Sequence, residues 1–240
     1  VSVFVNPLQF APGEDFASYP RDLEEDARTA ARAGATALFA PAAEEIFPGG
    51  RAWITRVDPP EALSGELCGR SRPGHFPGVA TVVCRLLALV RPDLLLLGEK
   101  DWQQLVILRR TLLDLGVAVP IRGCATVREH DGLACSSRNR YLSASDRRRV
   151  VALPGALLMA LEQHRLSEEP CSADALTALV GKACQDAALE VEYVQLVEAH
   201  TLRPVQNVVG LSLLAAAVRC GSSRLIDHVY ISKQETAPCQ

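Results

Sequence analysis

The chain has 240 residues, with 25 Lys and Arg against 28 Asp and Glu and a formal net charge of −3. That balance gives no basic surface on which to expect nucleic acid or an anionic membrane. With 48% apolar and 22% charged residues it reads as a globular protein, long enough for one large or two ordinary domains. Its longest apolar runs are too short to span a bilayer, and Val1 opens no charged-then-apolar signal segment, so a cytoplasmic location is expected.

Residues 1–5 are a β-branched and aromatic run stopped by Asn6-Pro7, which predicts a strand ending in a turn. Residues 22–33 read as a helix closed by Gly34, 37–40 as a second strand, 41–50 as loop and 53–57 as a third strand. The segment 65–75, rich in Gly, Arg and Ser, reads as a ligand-facing loop. Residues 77–90 place Pro at the first helical position ahead of an apolar stripe and predict a helix. Residues 94–97 read as a buried parallel strand, 101–115 as the helix it feeds and 117–122 as the last strand. Such strand–helix alternation implies an α/β architecture, a parallel sheet covered on both faces.

After about residue 125 the pattern changes. Ser143-x-x-Asp146 opens a predicted long helix through Gln163, and the polar stretch 164–170 precedes another helix starting near Ser172. Strand-like runs follow at 191–197, 208–218 and 225–231, as expected of a smaller α+β unit. The boundary is placed within 122–136, giving expected domains 1–125 and 126–240 with a ligand cleft between them. Eight cysteines at 68, 84, 124, 135, 171, 184, 220 and 239 form no Cys-x-x-Cys pair and have no His at zinc spacing. They read as thiols in a reducing compartment.

Two runs carry chemistry. Gly98-Glu99-Lys100-Asp101-Trp102-Gln103-Gln104-Leu105 follows a predicted parallel strand, at whose carboxyl end open α/β sheets bind ligands. In the helix that begins there, 101, 104, 105, 108, 112 and 115 share one face, and leucines at the last four make it apolar. Asp101 and Gln104 extend that stripe with polar groups: they meet a polar ligand, or Asp101 caps the helix and Gln104 is solvated. Lys100 opposes the helix dipole, an arrangement that a phosphate between the two would resolve; a solvated loop lysine is the plainer reading. The second run is Cys135-Ser136-Ser137-Arg138-Asn139-Arg140-Tyr141-Leu142, in which two hydroxyls and a guanidinium can jointly donate to phosphate oxygens. Taken alone, such a run reads as a hydroxyl-rich turn. The charge runs 24–26 and 146–149 read as solvated helix faces.

Together with Asn6-Pro7-Leu8-Gln9-Phe10, Tyr19-Pro20-Arg21, Gly69-Arg70-Ser71-Arg72-Pro73-Gly74-His75-Phe76 and Gly221-Ser222-Ser223-Arg224-Leu225-Ile226-Asp227, the sequence resembles the pantothenate synthetase (pantoate–β-alanine ligase) family. The resemblance runs in order from Val1 to about Ile231. It implies a Rossmann-like, nucleotidylyltransferase-type parallel-sheet domain followed by a smaller α+β domain. The implied activity is ATP-dependent condensation of pantoate with β-alanine through pantoyl-adenylate, releasing AMP and pyrophosphate, with Mg²⁺ and in a homodimer. It also implies that Gly98, Glu99, Lys100, Asp101, Cys135, Ser136, Ser137 and Arg138 lie against ATP, and that the backbone at Val127 meets the adenine. Gln9 and Gln104 would hold the hydroxyls and carboxylate of pantoate. Arg72 and His75 would face the cleft, Arg72 near phosphate, with a structural role for His75 an equal alternative, and Lys100 and Arg138 would stabilise phosphate charge. Family members usually carry Met where Cys135 stands; both are soft and apolar, so little effect is expected.

One departure accompanies these matches. The family normally begins with a strand and a Met-Gly-x-Leu-His-x-Gly-His turn whose histidines contact the ATP phosphates. This sequence opens at Val1, inside what should be the next strand, and none of His75, His130, His164, His200 and His228 has a His-x-Gly-His context. It therefore reads as a fragment, and the alternative to a working ligase is a non-catalytic or inactive fragment that retains pantoate or nucleotide binding. A different nucleotidylyltransferase would have no reason to carry Gln9 and Gln104 in these contexts. Some family members are fused to a cytidylate kinase, but no Gly-x-x-x-x-Gly-Lys loop occurs in these residues, so that activity is not expected of them.

Overall fold

Two sheets organise the chain in the computed structural model, which describes residues 1–169 and 171–232. Pro170, the end of the polar stretch 164–170, and Cys239 lie outside the described residues. Residues 1–3 and 37–39 run parallel, joined by a single bridge between Ser2 and Phe39, with Val3 N donating to the Phe39 carbonyl at 2.9 Å. Between them α1 (Leu23–Arg32) is capped by Asp22, whose side chain accepts from Glu25 N, and carries Glu24, Glu25 and Asp26 at its positive end.

The next stretch departs from expectation. A short helix, α2 (Ala43–Ile46), occupies part of the predicted loop. Residues 53–57 are not a strand: Arg51–Trp53 forms a 3₁₀ turn, and the Val57 N–H goes to Thr81 Oγ1 at 3.0 Å instead of to a ladder. Pro59 and Pro60, which cannot donate, follow at once. Two single-turn helices, α3 (Glu61–Ser64) and α4 (Cys68–Ser71), come next, the second inside the segment read as a loop. α5 (His75–Val90) starts two residues before Pro77 because Gly74, at φ 82°, ends the preceding turn in the left-handed conformation. At Gly78 a Cβ would come within 2.4 Å of the Leu8 carbonyl, so the 3₁₀ turn Pro7–Gln9 lies directly on the helix backbone.

β1 (Leu95–Gly98) pairs parallel with β2 (Ile121–Cys124), Leu95 opposite Ile121, and α6 (Trp102–Asp114) connects them. β2 begins four residues later than predicted. β1 is not the buried strand expected: Leu96 is 56% exposed, and only Leu95 and Leu97 turn inward. The sheet is thus covered on one face of this strand, not both. The α6 stripe is buried at Leu105, Leu108 and Leu112, but Leu115 is exposed because the helix has ended.

The predicted helix from 143 is two helices, α7 (Ala144–Val150) and α8 (Ala152–Leu166). Pro154 lacks the N–H that would continue the ladder to Val150, which explains the break. α9 (Ala173–Asp186) is capped by Ser172, as expected. β3 (Glu190–Glu198), β4 (Ser212–Cys220) and β5 (Ser223–Ile231) then form an antiparallel sheet in that order, with β4 starting at Ser212 instead of 208. Leu153, Leu157, Leu176 and Val180 pack on Leu214 and Val218 to make the largest core. A second core joins Trp102, Leu105 and Val106 of α6 to Val197, Leu213 and Ala215, so the start of α6 sits against the antiparallel sheet. β5 consequently packs on the Glu99–Asp101 and Ser137–Tyr141 turns. Among the described residues no helix is long and apolar enough to cross a membrane, and no cysteine forms a disulfide.

Candidate active site

One cleft gathers Lys100, Asp101, Gln104, Ser136 and Arg138 along its lining, with about 720 Å³ of empty space, open solvent included. Lys100 and Asp101 come from the turn between β1 and α6, and Gln104 from the first turn of that helix. Lys100 is 19% exposed, its Nζ 3.8 Å from Asp101 Oδ1. Asp101 occupies the N-cap position of α6 but its side chain makes no capping bond, so its half-exposed carboxylate faces the cleft without a helix N–H. Gln104 lines the same wall, and its amide makes no hydrogen bond among the described residues.

The neighbouring amide, Gln103, is the buried one. Its Oε1 accepts from Cys68 N at 3.0 Å, and its Nε2 donates to the carbonyls of Leu63 and Glu66 at 2.9 and 2.6 Å. It thereby fastens α3 and α4 to α6. The one-stripe reading missed it because α6 is packed on more than one side, with Val106 and Ile107 also buried.

On the opposite wall Ser136 caps the 3₁₀ turn Ser137–Tyr141, its Oγ accepting from Arg138 N. Arg138 is already held in a two-point bond to Asp15, at 2.9 and 2.7 Å. Burial works against its charge, but the bonds and charge of Asp15 outweigh that and hold its pKa above the ordinary value. Ser137 turns away into an adjoining groove, where its Oγ meets Tyr19 Oη at 2.9 Å. The two hydroxyls therefore serve neighbouring grooves that meet at this turn.

Arg72 and His75 also line the cleft, in a closed network. Arg72 bonds both oxygens of Glu14 at 2.7 and 2.8 Å and donates to the Gln9 carbonyl at 3.3 Å. Its Nη1 donates to His75 Nε2 at 3.0 Å, and His75 Nδ1 donates to the same Gln9 carbonyl at 2.8 Å. These partners assign the neutral tautomer. Burial, aided by the Arg72 charge, pushes the His75 pKa down to about 4. Gln9 itself does not line this cleft; its Oε1 accepts from Asn6 Nδ2 at 3.1 Å, leaving its own NH₂ to donate. Asn6 is buried and also donates to the Gly78 carbonyl, so it fixes the Gln9 amide.

Gly98, Glu99, Val127 and Cys135 lie outside the cleft lining. Glu99 packs on Gly123, where a Cβ would come within 2.6 Å of its carboxylate. Val127 is 70% exposed and its carbonyl accepts from Cys135 N at 2.9 Å. Arg224 and Asp227 belong to the run that carried the resemblance but were given no role there, and Arg128, Glu192 and Tyr193 carried no signal. Arg224 grips Glu192 at 2.9 and 2.7 Å beside Cys68, with Tyr193 Oη 3.2 Å from the thiol. Asp227 is buried against Arg128, at 2.6 and 2.9 Å. The lining thus carries Arg72, Lys100, Arg138 and Arg224 against the carboxylates of Asp101 and Asp227, a balance suited to a polyanion.

A family model described as pantoate-beta-alanine ligase matches residues 1–230. A bifunctional pantoate ligase/cytidylate kinase of Prochlorococcus marinus (strain MIT 9313) is 54% identical over 237 residues, covering 98% of this chain and 46% of that protein. One of Synechococcus sp. (strain RCC307) is 55% identical over 228 residues, covering 95% and 44%. The chain spans about half the length of the curated relatives it matches. Among solved structures, a pantothenate synthetase from Thermus thermophilus superposes with a TM-score of 0.88 at 44% identity, over 95% of this chain and 81% of that one. A pantoate-beta-alanine ligase from Francisella tularensis, complexed with beta-gamma ATP and beta-alanine, gives 0.75 at 31%, over 99% and 80%.

Proposed function

The chain belongs to the pantoate–β-alanine ligase family, and on that premise we propose that it condenses pantoate with β-alanine at the expense of ATP. The observation that carries this reading is the convergence of Lys100 and Gln104 from one segment and Ser136 and Arg138 from another on one cation-rich cleft. The Francisella relative, whose structure holds beta-gamma ATP and beta-alanine, supports the choice of substrates.

In the first step a pantoate carboxylate oxygen attacks the α-phosphorus of ATP, and the bond to pyrophosphate breaks. In the second the β-alanine nitrogen attacks the acyl carbon, the bond to AMP breaks and the nitrogen loses a proton. A carboxylate is inert to amines whereas its mixed anhydride is not, so no protein nucleophile is required. The chain's work is orientation and charge stabilisation. Lys100 is the cleft cation with the weakest protein partner and so the most available to phosphate oxygens. Arg138 adds the nitrogen that Asp15 does not use, and Ser136 a hydroxyl. The open amide of Gln104 suits the hydroxyls and carboxylate of pantoate; Gln9, outside the lining but joined to it by the Arg72 and His75 bonds to its carbonyl, keeps its NH₂ for the same substrate.

Among the described residues no three His, Cys, Asp or Glu side chains cluster to hold a metal. Mg²⁺ carried on the ATP phosphates fits the one half-exposed carboxylate of the lining, Asp101, as its protein ligand. When bound it supplies counter-charge to the phosphates. A homodimer in the cytoplasm completes the proposal. The test is mass-spectrometric detection of pantothenate from ATP, Mg²⁺, pantoate and β-alanine. Product that requires all three substrates is expected. Binding of ATP and pantoate without product would favour the non-catalytic reading, and absence of both binding and product would overturn the function.

A further inference from the structure

Two histidines line the cleft, and they are bonded in opposite ways. His75 spends both ring nitrogens on protein partners, as described above. His228, on β5, is only 8% exposed, yet neither of its ring nitrogens has a hydrogen-bond partner among the described residues. Its backbone pairs with Ala215 in the sheet, and its N–H donates to Asp227 Oδ1 at 2.8 Å. The ring is held by an edge contact to Tyr230, centroids 5.2 Å apart at 73°. Neither ring nitrogen is fully enclosed among the described residues, so the ring opens onto the cleft with its hydrogen-bonding capacity unspent, and a partner can meet it there.

The surroundings say what kind. β5 packs on the Glu99–Asp101 turn, which brings His228 beside Lys100. The charged groups that face the ring are Asp227, Arg128, Asp101 and Lys100. Burial foremost, with the two cations, holds the imidazole neutral and its pKa down to about 4, against the pull of the two aspartates. A neutral imidazole offers one N–H donor and one acceptor. Beside a lysine in a cation-rich lining, the donor meets anionic oxygen.

Building on the nucleotide reading above, we infer that His228 is a phosphate contact of this cleft, its ring N–H donating to a phosphoryl oxygen of the ATP held by Lys100. The residue lies just beyond the Gly221-to-Asp227 run that carried the resemblance, and nothing in the sequence pattern singled it out.

The test is the imidazole ¹H–¹⁵N spectrum of the whole chain, with His228 assigned through H228Q. Adding ATP with Mg²⁺, without the other substrates, is expected to move the His228 ring resonances. Pyrophosphate alone should do the same, and adenosine should not. H228F, which keeps a flat ring against Tyr230 but loses the N–H, should weaken ATP binding about tenfold. H228Q, which keeps a donor, should recover most of that loss. The contact is overturned if ATP saturates the chain while the His228 resonances stay fixed, whatever the variants do. It also falls if adenosine moves the ring and pyrophosphate does not. A spectrum in which no resonance responds to ATP overturns the nucleotide reading itself, and this contact with it.

Discussion

The two walls of the cleft are built on opposite terms. On one side Arg72, His75, Glu14 and the Gln9 carbonyl satisfy one another, and Arg138 is closed onto Asp15. On the other, Lys100 has only a carboxylate 3.8 Å away, Asp101 caps nothing, and neither the Gln104 amide nor the His228 ring nitrogens have a hydrogen-bond partner among the described residues. Lining a cleft is therefore not the same as being available to a ligand. The saturated wall fixes shape, and the open wall holds the spare hydrogen-bonding capacity that substrates require.

The sharpest way to break this comparison is to remove one residue from each wall. Lys100→Ala should lower kcat/KM about a hundredfold, roughly 3 kcal/mol of transition-state stabilisation. Its urea midpoint should barely move, since the side chain has no strong protein bond. Arg72→Ala should do the reverse in its main effect, costing about 3 kcal/mol of stability by leaving Glu14 partly buried and unpaired. Urea unfolding of both variants reads the difference; a destabilised Lys100→Ala with full activity would invert the assignment.

pH sharpens the same comparison. Folded His75 and His228 stay neutral down to about 4, whereas in the unfolded chain they take up a proton below about 6.5. Between those values the unfolded state binds more protons, so stability falls as pH falls. From pH 7 to 5 the loss should reach about 2 kcal/mol per histidine. His75→Gln should remove one share of that slope, and equal unfolding midpoints at the two pH values would contradict the burial of these rings. The smallest effect on stability belongs to the open wall: Gln104→Ala should stay within about 0.5 kcal/mol of the parent while raising the pantoate KM. Gln103→Ala, one residue earlier, should cost about 2 kcal/mol because it strands the Cys68 N–H and two carbonyls.

Much of this was legible before the fold was known, for physical reasons that can be named. Lys100 and Gln104 stood out as polar groups at a helix start, Ser136 and Arg138 through the family resemblance more than through their own chemistry, and all four line the cleft. The Ser143-x-x-Asp146 pattern announced its helix through a local rule that needs no tertiary information, and the helix starts near Asp22 and Ser172 were legible as well, with both residues acting as caps. The break before Pro154 was legible too, and the long-helix reading passed over it. The failures were of another kind. Residues 53–57 have strand-like composition, but their backbone finds Thr81 instead of a ladder. The partners that close the saturated wall come from far along the chain, Glu14 58 residues from Arg72 and Asp15 123 from Arg138. Only the fold shows which cations are already taken, and Gln103 was hidden because a helix buried on several sides has no single stripe.

The most direct test of the central claim is pantoate-dependent exchange of labelled pyrophosphate into ATP, which reads the adenylation step alone. The account predicts exchange in the parent chain that requires pantoate and falls about a hundredfold in Lys100→Ala. Exchange that proceeds without pantoate, or that survives Lys100→Ala undiminished, would contradict it.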